Sequence, residues 1–197
     1  MRTLHLVSHT HWDREWYQPY QDFRHRLVRL LDNALAGLAS GEMQGPFTTD
    51  GQAIVLEDYL EVRPEREALV RACAADGRLR IGPWYVLPDE FLVSGEALIR
   101  NLRLGREVAR ALGGAPSNAG FVCDIFGHNS QLPQLLAGFG MEMAFVWCGV
   151  NENGQRLFRW IGADCTEVLA YRFEQVGYSS YASLVRSSFD HATAISS

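Results

Sequence analysis

Residues 3–16 read TLHLVSHTHWDREW. The first half, TLHLVSH (3–9), has the apolar alternation of a strand. The second gathers histidine, aspartate and tryptophan into eight residues (9–16). Residues two apart on an extended backbone point the same way. His9, His11 and Asp13 therefore share one side, and Trp12 faces the other. Imidazole nitrogen with carboxylate oxygen suits zinc or another divalent transition metal. The same residues also allow a plainer arrangement, in which His9 bonds backbone while His11 and Asp13 form a polar pair.

Working outward, short apolar runs alternate with helical patterns. Residues 22–39 carry Phe23, Leu27, Leu31, Leu35 and Leu38 at helical spacing. FTT (47–49) reads as a second strand ending at Asp50-Gly51, and AIVLEDYLEV (53–62) as a helix. Pro64 opens a further helix that Gly77 closes. RLRIG (78–82) is the third strand, and 94–112 a long helix with Ser94 as its N-cap. NAGFVC (118–123) is the fourth strand, QLPQLLAGFG (131–140) a short helix and MAFVW (143–147) the fifth strand. FRW (158–160) and TEVLAYRF (166–173) look like later strands, a hairpin inserted into the main layer.

Repeated strand–helix units imply a parallel sheet covered by helices, whose active site lies at the carboxyl ends of its strands. HTHWD (9–13), DGQ (50–52), GPWYVLPDE (82–90), CDIFGHN (123–129) and WCGV (147–150) each follow a strand, so all five collect on one rim. An apolar strand delivers Asp124 to that rim, as a metal ligand, a nucleophile or both. It also suits a cap for the helix near Gln131 or a turn with Gly127. His128 reads as a structural histidine rather than a ligand. Trp16, Trp84, Tyr85 and Phe126 fall near the rim motifs, and Trp16, amid polar neighbours, is the least like a core position.

The net charge of −5 argues against a nucleic-acid surface, which wants a basic stripe. No apolar run approaches the roughly 20 residues that span a bilayer, and the start is too short and too polar for a signal peptide. Cys73, Cys123, Cys148 and Cys165 have no CxxC spacing. They read as free thiols of a cytoplasmic protein.

HTHWDREW (9–16), TTDGQAIVLEDYLE (48–61), GPWYVLPDEFLVSGEALIRNL (82–102) and GFVCDIFGHNSQLP (120–133) occur in the order found in family 38 of the glycoside hydrolases. The chain resembles the N-terminal part of these retaining α-mannosidases, in wording closest to the bacterial branch that includes mannosylglycerate hydrolases. The resemblance implies an α/β fold, an incomplete seven-stranded parallel β/α barrel of the glycoside hydrolase/deacetylase type, over residues 1–182. It implies zinc held by His11, Asp13 and Asp124, with Asp124 also the nucleophile, and Trp16 and Phe126 lining the mannose subsite of an α-mannoside. The family's fourth zinc ligand, a histidine, and its general acid/base, an aspartate, match no motif here.

Three features depart from the pattern. Cys148 stands where the family has an arginine, and Cys165 where it has the glycine of a D-G turn. The ending 183–197, which holds His191, does not read like the family, as after a truncated or frameshifted reading frame, and is expected to be a disordered tail. An incomplete barrel leaves an open sheet edge and uncovered apolar surface, so either marginal stability or self-association through the edge is expected. The alternative readings are a non-catalytic metal- or carbohydrate-binding remnant and a metal-dependent deacetylase.

Overall fold

A computed structural model of the chain describes residues 7–151 and 155–173. The expected first strand (3–9) lies partly outside the described residues, among which β1 is Ser8–His9, and the 183–197 segment with His191 lies outside them altogether. In chain order follow α1 (Tyr20–Ser40), β2 (Phe47–Thr48), α2 (Ile54–Leu60), a 3₁₀ turn (Pro64–Arg66), α3 (Glu67–Ala75) and β3 (Leu79–Arg80). Then come α4 (Gly95–Ala111), β4 (Ala119–Val122), α5 (Leu132–Gly138), β5 (Met143–Val146), β6 (Leu157–Ile161) and β7 (Glu167–Arg172). No described helix is long and apolar enough to cross a membrane.

The long helices form for reasons written in their spacing. In α1, Phe23, Leu27, Leu31, Leu35 and Leu38 make one buried stripe, and Gly41 at φ 77° ends it with the left-handed residue that favours glycine. In α4, Ser94 Oγ accepts the Ala97 N–H at 3.2 Å, satisfying one of the first-turn donors.

The strands do not form the expected barrel, and the fold class is corrected here. Two sheets are present among the described residues. One is parallel, in the order β1-β2-β3; the other is mixed, in the order β4-β5-β7-β6. Between β3 and β4 there is one isolated bridge, Ile81 to Pro116. Its bond runs from the Ser117 N–H to Ile81 O at 3.2 Å, and the next donor in a parallel ladder would be residue 83, a proline with no N–H, so the ladder stops there. β6 pairs antiparallel to β7, from Leu157 opposite Tyr171 to Ile161 opposite Glu167. The link from Gly162 to Thr166 is a tight turn, and a parallel return needs about a dozen residues or more. The hairpin itself lies where the sequence places it, with β7 parallel to β5.

Two apolar clusters fill the interior. One gathers α1, α2 and α3 against β2 and β3 around Leu31, Leu56, Tyr59 and Leu79. The other gathers Trp84, Leu98, Leu102, Val122, Leu132, Leu136 and Val146. Trp84, expected near the rim, is fully buried. Its Nε1–H donates to Phe121 O at 2.9 Å, its backbone N–H to Gly51 O at 2.9 Å, and its carbonyl accepts the Ala53 N–H at 2.9 Å. One residue thus ties together the chain segments after β2 and β3 and strand β4. α4 presses on the same place: a Cβ on Gly105 would lie 2.2 Å from the carbonyl carbon of Trp84.

Two expectations follow for stability. Gly105→Ala should destabilise the chain by about 1–3 kcal/mol, the usual cost of overpacking. An unchanged denaturant midpoint would contradict the close approach. Cys165 has φ 67° in the Gly162–Thr166 turn, a conformation that costs a non-glycine residue about 1–2 kcal/mol. Cys165→Gly relieves it but loosens the unfolded chain, so a net gain on the order of 0.5–1 kcal/mol is expected in the same measurement.

Candidate active site

The motifs after β1, β2, β3 and β4 line a cleft of ≈ 380 Å³, whose walls include His11, Asp13, Arg14, Gln52, Asp89, Asp124 and Phe126. His11 is set by Asp50. That carboxylate is fully buried, and its Oδ2 lies 3.0 Å from His11 Nδ1, 2.8 Å from the Trp12 N and 3.2 Å from Gln52 Nε2. An ionised carboxylate only accepts, so His11 carries a proton on Nδ1. The other nitrogen, Nε2, then faces Asp124 Oδ2 at 3.1 Å and Asp13 Oδ2 at 3.3 Å. Trp12 also borders the cleft, its ring edge-on to Phe23 with centroids 5.9 Å apart and packed on the first cluster.

The segment after Asp13 is anchored from outside the cleft. Arg14 makes a two-pronged bond to Asp58 (2.7 and 2.9 Å), and Tyr20 Oη–H donates to the same carboxylate at 2.8 Å. Gln52, buried, donates to Trp12 O at 2.8 Å and accepts from the Leu87 N–H at 3.3 Å, joining the segments after β1, β2 and β3.

Of the residues singled out in the sequence, His11, Asp13 and Asp124 meet. His9 stays with its own backbone, Nδ1 lying 3.0 Å from Thr10 O. Asp124 caps no helix: Gln131 begins α5 without a side-chain cap, and Asn129 Oδ1 takes the Gln131 N–H at 3.0 Å. Phe126 lines the cleft and is 76% exposed. Trp16, 62% exposed, stacks on Tyr17 (4.8 Å, 20°) rather than forming part of the cleft wall. His128 is structural: Nδ1 lies 2.7 Å from buried Glu90 and Nε2 3.0 Å from Cys148 O. Glu90 also takes both the backbone and side-chain N–H groups of Asn129 at 2.9 Å, fixing the segment that carries Asp124.

Sequence reasoning assigned no role to Asp50, Asp89 or Glu90. The signal was present, since all three follow strand ends. For Asp50 and Glu90 the partners that matter, His11, Trp12, His128 and Asn129, lie 38 or 39 positions away, and the letters do not name them. Cys148, in the rim motif after β5, has its Sγ 3.7 Å from Asp124 Oδ1.

The electrostatics suit a cation. Burial lowers the His11 pKa, but the hydrogen bond and charge of Asp50, with the charges of Asp13 and Asp124, outweigh it and raise the pKa above its usual 6.5. Burial and the neighbouring carboxylates raise Asp13, against the lowering pull of His11. A carboxylate holding the far nitrogen of a histidine whose near nitrogen faces other carboxylates is the outer-shell arrangement of many metal sites. In donor chemistry the three residues fit a zinc-like ion. As they stand, no group of three or more His, Cys, Asp or Glu among the described residues is closed on one cation-sized point. They form a half-shell of one imidazole nitrogen and two carboxylates.

Asp50→Asn should lower the His11 pKa in metal-free protein. His11 is favoured as the cation in the fold, and that stabilisation is complete below its unfolded pKa and lost as pH rises through the folded one. Both the NMR titration of His11 and the alkaline fall in stability should therefore shift to lower pH in the variant. A His11 titration unmoved by the substitution would remove Asp50 from this role.

Comparison with known proteins identifies the family. Residues 1–194 match the family described as "Glycosyl hydrolases family 38 N-terminal domain". The "Putative mannosylglycerate hydrolase" of Halalkalibacterium halodurans is 46% identical over 153 residues, 78% of this chain and 17% of that protein. Alpha-mannosidase 2C1 of Mus musculus is 27% identical over 175 residues, 86% of this chain and 17% of that protein. The crystal structure of an alpha-mannosidase from Enterococcus faecalis V583 superposes with a TM-score of 0.83 at 38% identity, covering 88% of this chain and 20% of that one. The chain spans about a fifth or less of the length of these relatives. By its motifs, its fold and these matches, it belongs to family 38 of the glycosyl hydrolases and carries that family's N-terminal domain.

Proposed function

We propose that this domain supplies the nucleophile and metal-binding half of the active site of a zinc-dependent retaining α-mannosidase. The observation that carries the reading is the 3.1 Å approach of Asp124 Oδ2 to His11 Nε2, across 113 sequence positions (124 − 11), with Asp13 on the same nitrogen. His11, Asp13 and Asp124 would hold the ion, which would orient and polarise the sugar hydroxyls. Asp124 attacks the anomeric carbon as the bond to the aglycone oxygen breaks, and water later cleaves the glycosyl ester. The leaving oxygen needs a proton from a second carboxyl group, roughly 5 Å from the nucleophile in retaining enzymes. None of the motifs matched in this chain provides it. Phe126 offers a flat apolar face to the sugar ring, and Trp16 is assigned the same role from outside the cleft wall.

A second reading has its own support. Cys148 places a neutral thiol against Asp124, where the family resemblance calls for an arginine. That favours a remnant that binds metal or sugar without turnover. The free cysteines support a cytoplasmic location. Leu157 and Ile161, 53% and 56% exposed on edge strand β6, support pairing with a second copy.

Three measurements separate these readings. Metal analysis should find about one zinc per chain, lost in His11→Ala; no zinc in the wild type would refute the metal reading. With a p-nitrophenyl α-mannoside, turnover abolished by Asp124→Asn supports the hydrolase, whereas zinc without turnover supports the remnant. Sedimentation velocity should show a dimer that dissociates on Leu157→Lys; a monomer at high concentration excludes the edge pairing.

A further inference from the structure

Asp89 and Glu90 are adjacent carboxylates with different surroundings. Glu90 is buried, facing His128 Nδ1 at 2.7 Å and both N–H groups of Asn129 at 2.9 Å. Asp89 lines the cleft with Asp124 and Phe126. Its side chain is half-buried and, among the described residues, makes no hydrogen bond or ion pair. The other polar side chains of the cleft wall are committed or exposed. Asp13 and Asp124 face His11 Nε2, and Arg14 is held by Asp58. Gln52 spends its amide on Trp12 O and the Leu87 N–H, and Glu15 is exposed. Asp89 is the half-buried acceptor left over.

The backbone that carries Asp89 is fixed on both sides. Before it, Asn101 Oδ1 of α4 accepts the Tyr85 and Val86 N–H groups at 2.8 and 3.1 Å, and Asn101 Nδ2 donates to Val86 O at 2.7 Å. After it, Glu90 is anchored as above, and the Leu92 N–H closes a turn onto Asp89 O at 3.1 Å. An added Cβ on Gly127 would lie 2.6 Å from Phe91 Cε2, so that turn rests on the segment that follows Asp124. A ligand meeting Asp89 therefore has little chain to order, which favours binding. An ionised carboxylate only accepts, so such a ligand must bring donors. Phe126, in the same wall and 76% exposed, offers it an apolar ring face. A sugar ring has both features, with hydroxyls at its edge and C–H groups on its face.

We propose that Asp89 is a specificity-determining residue, whose carboxylate accepts a hydroxyl of the mannosyl ring while Phe126 covers the ring's C–H face. The proposal rests on the α-mannoside reading given above and asks nothing of an ion. Asp89 holds the ring and takes no proton from it. Hydrogen bonds to an ionised acceptor are about twice as strong as neutral ones. A site built to bond a substrate hydroxyl also rejects an analogue that lacks it, because the acceptor is then left unpaired. Asp89 thereby makes this wall of the cleft sensitive to one position of the sugar.

The test is the binding of methyl α-mannoside and its 2-, 3-, 4- and 6-deoxy analogues to the full 197-residue chain in zinc-containing buffer, followed by amide chemical shifts. Asp89→Ala should bind the parent sugar about tenfold more weakly or worse, the usual scale for a lost hydrogen bond to a charged group. Asp89→Asn, which keeps the shape and loses the charge, should fall between. One deoxy analogue should bind the wild type about as weakly as the parent sugar binds Asp89→Ala, and Asp89→Ala should not distinguish that pair. A merely structural role would weaken every sugar alike and leave all discrimination in place. That pattern, or wild-type affinity in Asp89→Ala, would overturn the role of Asp89 and leave the α-mannoside reading standing. No binding of methyl α-mannoside by the wild type would overturn that reading and this proposal with it.

Discussion

Asp50 carries a carboxylate with no solvent exposure where β2 gives way to a turn, and three nitrogen donors converge on one of its oxygens. Removing such a charge from water is costly unless it is hydrogen-bonded in this way. The bonds fix what the candidate site needs: the His11 ring orientation, the path of the chain at Trp12 and the place of Gln52. The geometry depends on a backbone that few residues accept. Asp50 has φ 55° and Gly51 φ 73°, and aspartate is among the few non-glycine residues that tolerate that region.

The second constraint is the seam between the two sheets. His11 and Asp13 come from the side of β1, whereas Asp124 and Cys148 come from the side of β4 and β5. Among the described residues no continuous ladder joins the sides, because the bridge of Ile81 and Pro116 meets Pro83, which has no N–H to carry it on. Alignment of the site falls instead to packing: buried Trp84 bonded to Phe121 O, and α4 set against it through Gly105. Glu90, held by His128 and Asn129, secures the Asp124 segment from the third strand's side. The candidate cleft is thus a product of side-chain contacts between two halves. Small changes at Trp84 or Gly105 reach it without touching it.

Much of the local structure was legible. The stripe from Phe23 to Leu38 and the Ser94 cap identified α1 and α4, because both signals are short-range. NAGFVC ending at Asp124 placed a carboxylate on the rim, and the hairpin of β6 and β7 was visible in two short runs either side of a turn. The barrel was misjudged because apolar runs announce strands but not where a ladder lapses. Trp84 was misplaced for a related reason: an aromatic near polar motifs looks the same in sequence whether it faces a substrate or the core.

The order of residues by itself determined the helices, the strands and the set of chemistries available, since each depends on neighbours a few positions away. It also carried the family, because four motifs in sequence are a long and specific string. Only the tertiary structure decided which of those chemistries act together. It chose Asp50 as the partner of His11, set Cys148 against Asp124 and kept His9 apart, because contacts between residues dozens of positions distant are settled by how sheets and helices pack and not by spacing along the chain.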